Sequence, residues 1–162
     1  MQNTHSYRKI NILPDYIANQ IAAGEVIQRP ESVIKELVEN SLDAGADSII
    51  VVVRDAGKQL IHIVDNGCGM ARPDLELSCK RHTTSKIFSS EDLEEILTFG
   101  FRGEALASIC SIANVEIRTK RRSSEEEFQG YRLISEPMKE EFIEPFNADY
   151  GTQVFVRNLF FN

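Results

Sequence analysis

Residues 48–65, SIIVVVRDAGKQLIHIVD, place two β-branched runs on either side of Asp55, Ala56, Gly57 and Lys58. Branched side chains suit a pleated surface and the glycine-bearing stretch reverses the chain, so the segment reads as a β-hairpin. Helical patterns lie on both sides of it. Upstream, LPDYIANQIAAGEVI carries Ile17, Ile21 and Val26 at roughly helical spacing, and RPESV opens a further helix with Pro30 at its first position. That helix stops near Gly45. Downstream, RPDLELSCKRH reads as a short helix, Ser89 and Asp92 form a capping pair ahead of EDLEEIL, and an apolar helix runs from about Glu104. NVEIRTK, YRLIS and GTQVFVRNLFF follow as strands. Helices, hairpin, helices and then strands imply an α+β fold, a two-layer α/β sandwich with helices on one face of a mixed sheet. At 162 residues and 42% hydrophobic, the chain suits one domain, 1–162, with a real core.

Charge and cysteine usage narrow the function. A net charge of -7 argues against a surface that grips nucleic acid by charge alone. The basic run RTKRR, residues 118–122, is followed by EEE at 125–127, and the pair reads as a solvated turn. Cys68, Cys79 and Cys110 form neither C-x-x-C nor an even framework, which disfavours disulfides and structural zinc. No apolar run approaches the length of a membrane span and the N-terminus has no signal-like core, so a cytoplasmic protein without membrane contact is expected.

Three segments carry possible chemistry. In KELVENSLDAGA, Glu36, Asn40 and Asp43 share one helical stripe opposite Ile34, Leu37, Val38 and Leu42. A solvated polar face accounts for such a stripe, yet a solvated position more naturally holds Lys, Glu or Gln than Asn. The alternative is a metal–nucleotide site, with Asn40 offering Mg²⁺ a hard oxygen and a carboxylate one turn away acting on water. In VDNGCGM, Asp65 ends a buried-looking strand, where its carboxylate could accept a hydrogen bond from the amino group of adenine. Gly67 and Gly69 would allow a close backbone approach, although Asn-Gly is also an ordinary turn dipeptide. In RHTTSKI and GFRGEA, Lys86 and Arg102 accompany glycines ahead of a helix, a pattern that can hold phosphate. No G-x-x-x-x-G-K-[ST] occurs, and the histidines have no ligand spacing.

Taken together, NQIAAGEVIQRP, KELVENSLDAGA, DNGCGM, RHTTSKI and GFRGEALASI closely resemble the N-terminal ATPase domain of the MutL family of DNA mismatch-repair proteins, over nearly the whole chain. The resemblance implies the GHKL (Bergerat) ATP-binding fold and an ATPase using ATP and Mg²⁺. It implies that Glu36 is the general base, Asn40 the Mg²⁺ ligand and Asp65 the adenine reader, with Gly67, Gly69 and Thr152 beside it. Thr84, Ser85, Lys86, Gly100, Phe101, Arg102 and Gly103 match positions around ribose and phosphates, and Asp43 is given a supporting role.

The family pattern further implies ATP-driven pairing of two N-terminal domains as a homodimer, and hydrolysis that resets a clamp linking mismatch recognition to strand removal. Partners would be a mismatch-recognition protein, downstream nuclease and helicase factors, and DNA through the parent protein. Location would be the cytoplasm, at the nucleoid, or the nucleus in a eukaryote. The apolar ending NLFFN reads as a fragment truncated at its C-terminal end, lacking a second domain whose lysine reaches the γ-phosphate and a C-terminal dimerisation region. Such a fragment is expected to hydrolyse ATP very poorly. Two other readings stay open at this level: a non-hydrolysing nucleotide sensor, and a chaperone- or topoisomerase-type ATPase on the same fold.

Overall fold

The computed structural model describes residues 29–80, 105–122 and 129–161. The expected hairpin is present. Strands β1 (Ile49–Arg54) and β2 (Leu60–Asp65) run antiparallel, joined by a 3-10 turn at Asp55–Gly57, with Val51 opposite Ile63 and Val53 opposite Ile61. Burial alternates strictly along β2, turning Ile61, Ile63 and Asp65 inward, because successive residues of a pleated strand face opposite sides.

Helices α1 (Pro30–Asp43), α2 (Arg72–Ser78) and α3 (Ala105–Ile112) lie with β3 (Asn114–Lys120), β4 (Tyr131–Ser135), β5 (Phe142–Pro145) and β6 (Gly151–Arg157). Proline falls in the first turn of both α1 and α2, where its missing N–H would have had no helical partner. The sheet order is β1-β2-β6-β3-β4-β5. The strand last in sequence therefore lies in the middle, between the hairpin and the β3–β4–β5 meander. Val33 and Leu37 of α1, Leu75 of α2, and Ile109 and Ile112 of α3 form one core with Ile61, Ile63, Val115, Ile117, Leu133, Val154 and Val156. This is the expected two-layer sandwich.

Four details depart from the sequence reading. Among the described residues every strand pairing is antiparallel, where a mixed sheet was expected, since β6 enters against both of its neighbours. Strand β5 was not foreseen, because its run FIEP is short, carries a glutamate and ends in proline, as an edge strand tolerates. NVEIRTK forms β3 as expected, so the overlapping reading of RTKRR as a solvated turn fails for Arg118, Thr119 and Lys120. The Arg118 guanidinium lies over the rings of Phe146 and Phe155, at 5.0 and 4.6 Å from their centroids, and pairs with Glu116 at 2.6 Å. Leu42, assigned to the core stripe of its helix, is 59% exposed.

All three cysteines are free, and the buried Cys79 thiol is pushed well above its ordinary range by its contact with Cys110 and by burial, as suits a core side chain. His62 is structural. It stacks on Phe155 with ring centroids 3.9 Å apart and bonds Gln153 at 3.1 Å. Among the described residues no helix is long and apolar enough to cross a membrane. The helices expected over LPDYIANQIAAGEVI and EDLEEIL lie outside the described residues.

Candidate functional site

The last turns of α1 meet the end of β2. Along α1 the buried residues are Val33, Leu37 and Ser41, spaced four apart and so stacked on one face. Glu36 and Asn40 flank that seam at half-buried positions, while Asp43 is exposed. The acid and the amide thus sit at the margin of the core, not on a freely solvated side.

Asp65 is 8% exposed, and a buried carboxylate needs partners for its oxygens. It has two. The Ser41 hydroxyl donates to Oδ2 at 2.7 Å and the Gly67 N–H donates to Oδ1 at 2.8 Å. Ser41 was missed in the sequence, where its signal is a lone hydroxyl in the position four residues after Leu37, on the seam that should be apolar.

Across the sheet, Asp65 stands opposite Thr152 of β6, and Thr152 opposite Thr119 of β3. Thr119 is fully buried. Its hydroxyl donates to the Gly151 carbonyl at 3.0 Å and accepts the Met70 N–H at 2.9 Å, which leaves Thr152 as the donor in the 3.0 Å contact between the two threonines. Thr152 then keeps only lone pairs for a further partner, as Asp65 does. Two neighbouring strands therefore present acceptors at one end of the sheet. Thr119 also went unrecognised, since a threonine following Val115 and Ile117 looks like strand filler.

Gly67 and Gly69 bring the loop after β2 against protein. A Cβ on Gly67 would lie 2.8 Å from the Cβ of Ala44 and 2.9 Å from its carbonyl oxygen, at the end of α1. One on Gly69 would lie 2.1 Å from the Lys120 carbonyl oxygen, and its φ of +69° is a left-handed value. The loop is closed from both sides, with the Cys68 N–H donating to Ala44 O at 2.9 Å and the Arg122 N–H donating to Cys68 O at 2.8 Å.

The structure thus brings Asp65, Gly67, Gly69 and Thr152 together and sets them against the helix bearing Glu36 and Asn40. Thr84, Ser85, Lys86, Gly100, Phe101, Arg102 and Gly103 lie outside the described residues. Among the described residues no group of three His, Cys, Asp or Glu could hold a metal by itself. A single amide oxygen such as that of Asn40 fits an ion that draws its other oxygens from phosphate and water. An open groove of about 650 Å³ between α2 and β5, lined by Arg72, Glu76, Glu141 and Phe142 among others, contains none of these residues.

Comparison with known proteins identifies the family. Residues 27–148 match the family described as histidine kinase-, DNA gyrase B-, and HSP90-like ATPase. The chain is 53% identical over 150 residues to the DNA mismatch repair protein MutL of Chlorobaculum parvum, covering 93% of this chain and 24% of that protein. It is 54% identical over 153 residues to MutL of Parabacteroides distasonis, covering 94% and 24%. The chain therefore spans about a quarter of the length of these relatives. Among solved structures, the N-terminal domain of a DNA repair protein superposes with a TM-score of 0.66 at 31% identity, over 89% of this chain and 40% of that one. The Aquifex aeolicus MutL ATPase domain complexed with ADP gives 0.51 at 31% identity, over 80% and 42%. The chain belongs to the histidine kinase-, DNA gyrase B- and HSP90-like ATPase family, within its MutL-type N-terminal ATPase domains.

Proposed function

We propose that the chain binds Mg-ATP at the junction of α1 and β2 and serves as the nucleotide-gated part of a mismatch-repair protein that hydrolyses ATP. The observation that carries this is the Asp65 carboxylate, held on both oxygens at the end of a buried strand beside the helix bearing Glu36 and Asn40. Asp65 and Thr152 supply acceptors. Adenine offers an amino group to such a surface, whereas guanine places a carbonyl at the corresponding position and leaves acceptors facing one another.

Along α1, Asn40 would hold Mg²⁺, which when bound neutralises charge on the phosphates. Glu36, one turn earlier, would take the proton of the attacking water as its oxygen bonds the γ-phosphorus and the bond to the leaving phosphate breaks. Thr84, Ser85, Lys86, Gly100, Phe101, Arg102 and Gly103 would close over ribose and phosphates. Nucleotide-dependent ordering there would drive pairing of two such domains, and hydrolysis would reset the clamp between a mismatch-recognition protein and strand-removal factors in the cytoplasm. An Aquifex aeolicus relative of this fold complexed with ADP supports the nucleotide assignment.

Calorimetric titration with Mg-ATP and Mg-GTP tests the reading. Asp65→Asn turns one acceptor into a donor and is expected to abolish the preference for adenine. Glu36→Ala, in the full-length protein, is expected to leave binding intact and stop hydrolysis. A folded full-length protein that binds no adenine nucleotide would sink the assignment, and full turnover in Glu36→Ala would reduce it to the binding step with another base.

A further inference from the structure

Asn66, directly after Asp65, makes three side-chain hydrogen bonds, all to the turn that follows α1. Its Oδ1 accepts the N–H of Asp47 and of Ser48, each at 3.0 Å, and its Nδ2 donates to Asp47 Oδ1 at 2.5 Å. Its own N–H donates to Ser48 O at 3.3 Å. Asp47 and Ser48 are exposed, so water could satisfy their amides without help from a side chain. Satisfying buried groups is therefore not what these bonds accomplish. They fix geometry. With the Cys68 N–H on Ala44 O and Gly67 packed on Ala44, they make the loop after β2 and the end of α1 one body.

We propose that Asn66 is a positioning residue that sets Asp65 relative to the helix carrying Glu36, Asn40 and Ser41, so that recognition of the base and grip on the phosphates depend on each other. This rests on the nucleotide reading above. Only an amide performs the task, since it joins an acceptor and a donor in one planar group. A carboxylate at this position would still accept the two N–H groups but would face the Asp47 carboxylate with no proton between them.

That asymmetry supplies a test by reciprocal exchange in the full-length protein. Asp47→Asn leaves the pairing intact, because the new amide can turn its oxygen to Asn66 Nδ2, and Mg-ATP affinity should stay within about twofold. Asn66→Asp should lower that affinity about tenfold, as expected when one hydrogen bond to a charged group gives way to repulsion between two carboxylates, and should shrink the preference for Mg-ATP over Mg-GTP. Asn66→Asp combined with Asp47→Asn restores one donor facing one acceptor and should recover both affinity and preference. Loss of stability alone would lower the melting temperature without this pattern of loss and recovery.

Failure of the unsubstituted protein to bind adenine nucleotides would remove the reading on which the proposal stands. Normal binding in Asn66→Asp, or no recovery in the double exchange, would overturn the proposal and leave that reading in place. Should Asn66→Asp fail to fold, hydrogen exchange in the unsubstituted protein decides the matter. The Asp47 and Ser48 amides should exchange at least about tenfold more slowly with Mg-ATP bound, and unchanged exchange would overturn the proposal.

Discussion

Asp65 shows how much a buried carboxylate needs from its surroundings before it could read a base as proposed above. Both its oxygens are tied to protein donors, so the carboxylate has one orientation, and the remaining lone pairs point wherever Ser41 and Gly67 leave them. Ser41→Ala removes one tie and leaves a buried acceptor short of a partner, which typically costs about 1–3 kcal/mol. Urea denaturation should show that loss, and titration should show weaker Mg-ATP binding with a smaller preference over Mg-GTP. Asn40 stood out in the sequence as an unusual residue for a solvated helical face and Asp65 as a carboxylate ending a buried-looking strand, while Glu36 drew notice only by lying one turn from Asn40. Ser41 and Thr119 did not, since a small hydroxyl in a helix or strand acquires meaning only from the group it faces, and that group is 24 residues away for Ser41 and 32 or more for Thr119 along the sheet.

His62 belongs to the same scale with a different outcome. Burial holds its imidazole below the ordinary value of 6.5, against the raising effect of the bond to Gln153. The folded state thus binds a proton less readily than the unfolded chain. Stability is full above about pH 6.5 and falls as pH drops through the window between 6.5 and the lower folded value. Urea midpoints measured from pH 7.5 to 5 should decline in the native protein, and His62→Gln should flatten that decline.

Elements were more legible than residues. Proline at the start of α1 and α2, strict alternation on β2 and the polar break at the hairpin are local signals, and the structure follows them. What local signals could not supply is the partner of each face. Leu42 looked like core because it is apolar, yet α1 buries the seam through Val33, Leu37 and Ser41 and leaves Leu42 to one side. Strand β5 has too few residues to show a period, and only its pairing to β4 makes it a strand. The loop between β2 and α2 is likewise set by its neighbours. Gly69→Ala places a Cβ 2.1 Å from the Lys120 carbonyl oxygen in a left-handed conformation, so the loop has to leave β3. The expected result is a loss of about 1–3 kcal/mol in urea denaturation, with the Met70 amide, which bonds Thr119, exchanging faster.

At the scale of the whole molecule, the sheet order places β6 between two pieces that otherwise do not touch along their strands, β1–β2 on one side and β3–β4–β5 on the other. Pairing of distant segments is the part of a fold that a linear pattern reveals least, because the loop-closure cost is met only when both partners exist. Nothing in GTQVFVR distinguishes a central strand from an edge one. A chain ending before Gly151 should therefore leave the amides of β2 and β3 open to exchange along the sides facing the missing strand, while a chain carried through Arg157 should protect both.

Synthesis runs from one end, and this arrangement turns chain order into a schedule. As the polypeptide leaves the ribosome, the hairpin is complete long before the strand that unites the sheet, the meander ends at Pro145 just ahead of it, and each waits with an open side that invites wrong pairing. The two pieces of the sheet can join only when residues 151–157 emerge. Asp65, Thr152 and Thr119, which come from the two early pieces and the closing strand, meet only at that moment. A chain stopped before Gly151 would lack Thr152, so the nucleotide site proposed above could not form in it, and its sheet would stay unclosed between β2 and β3.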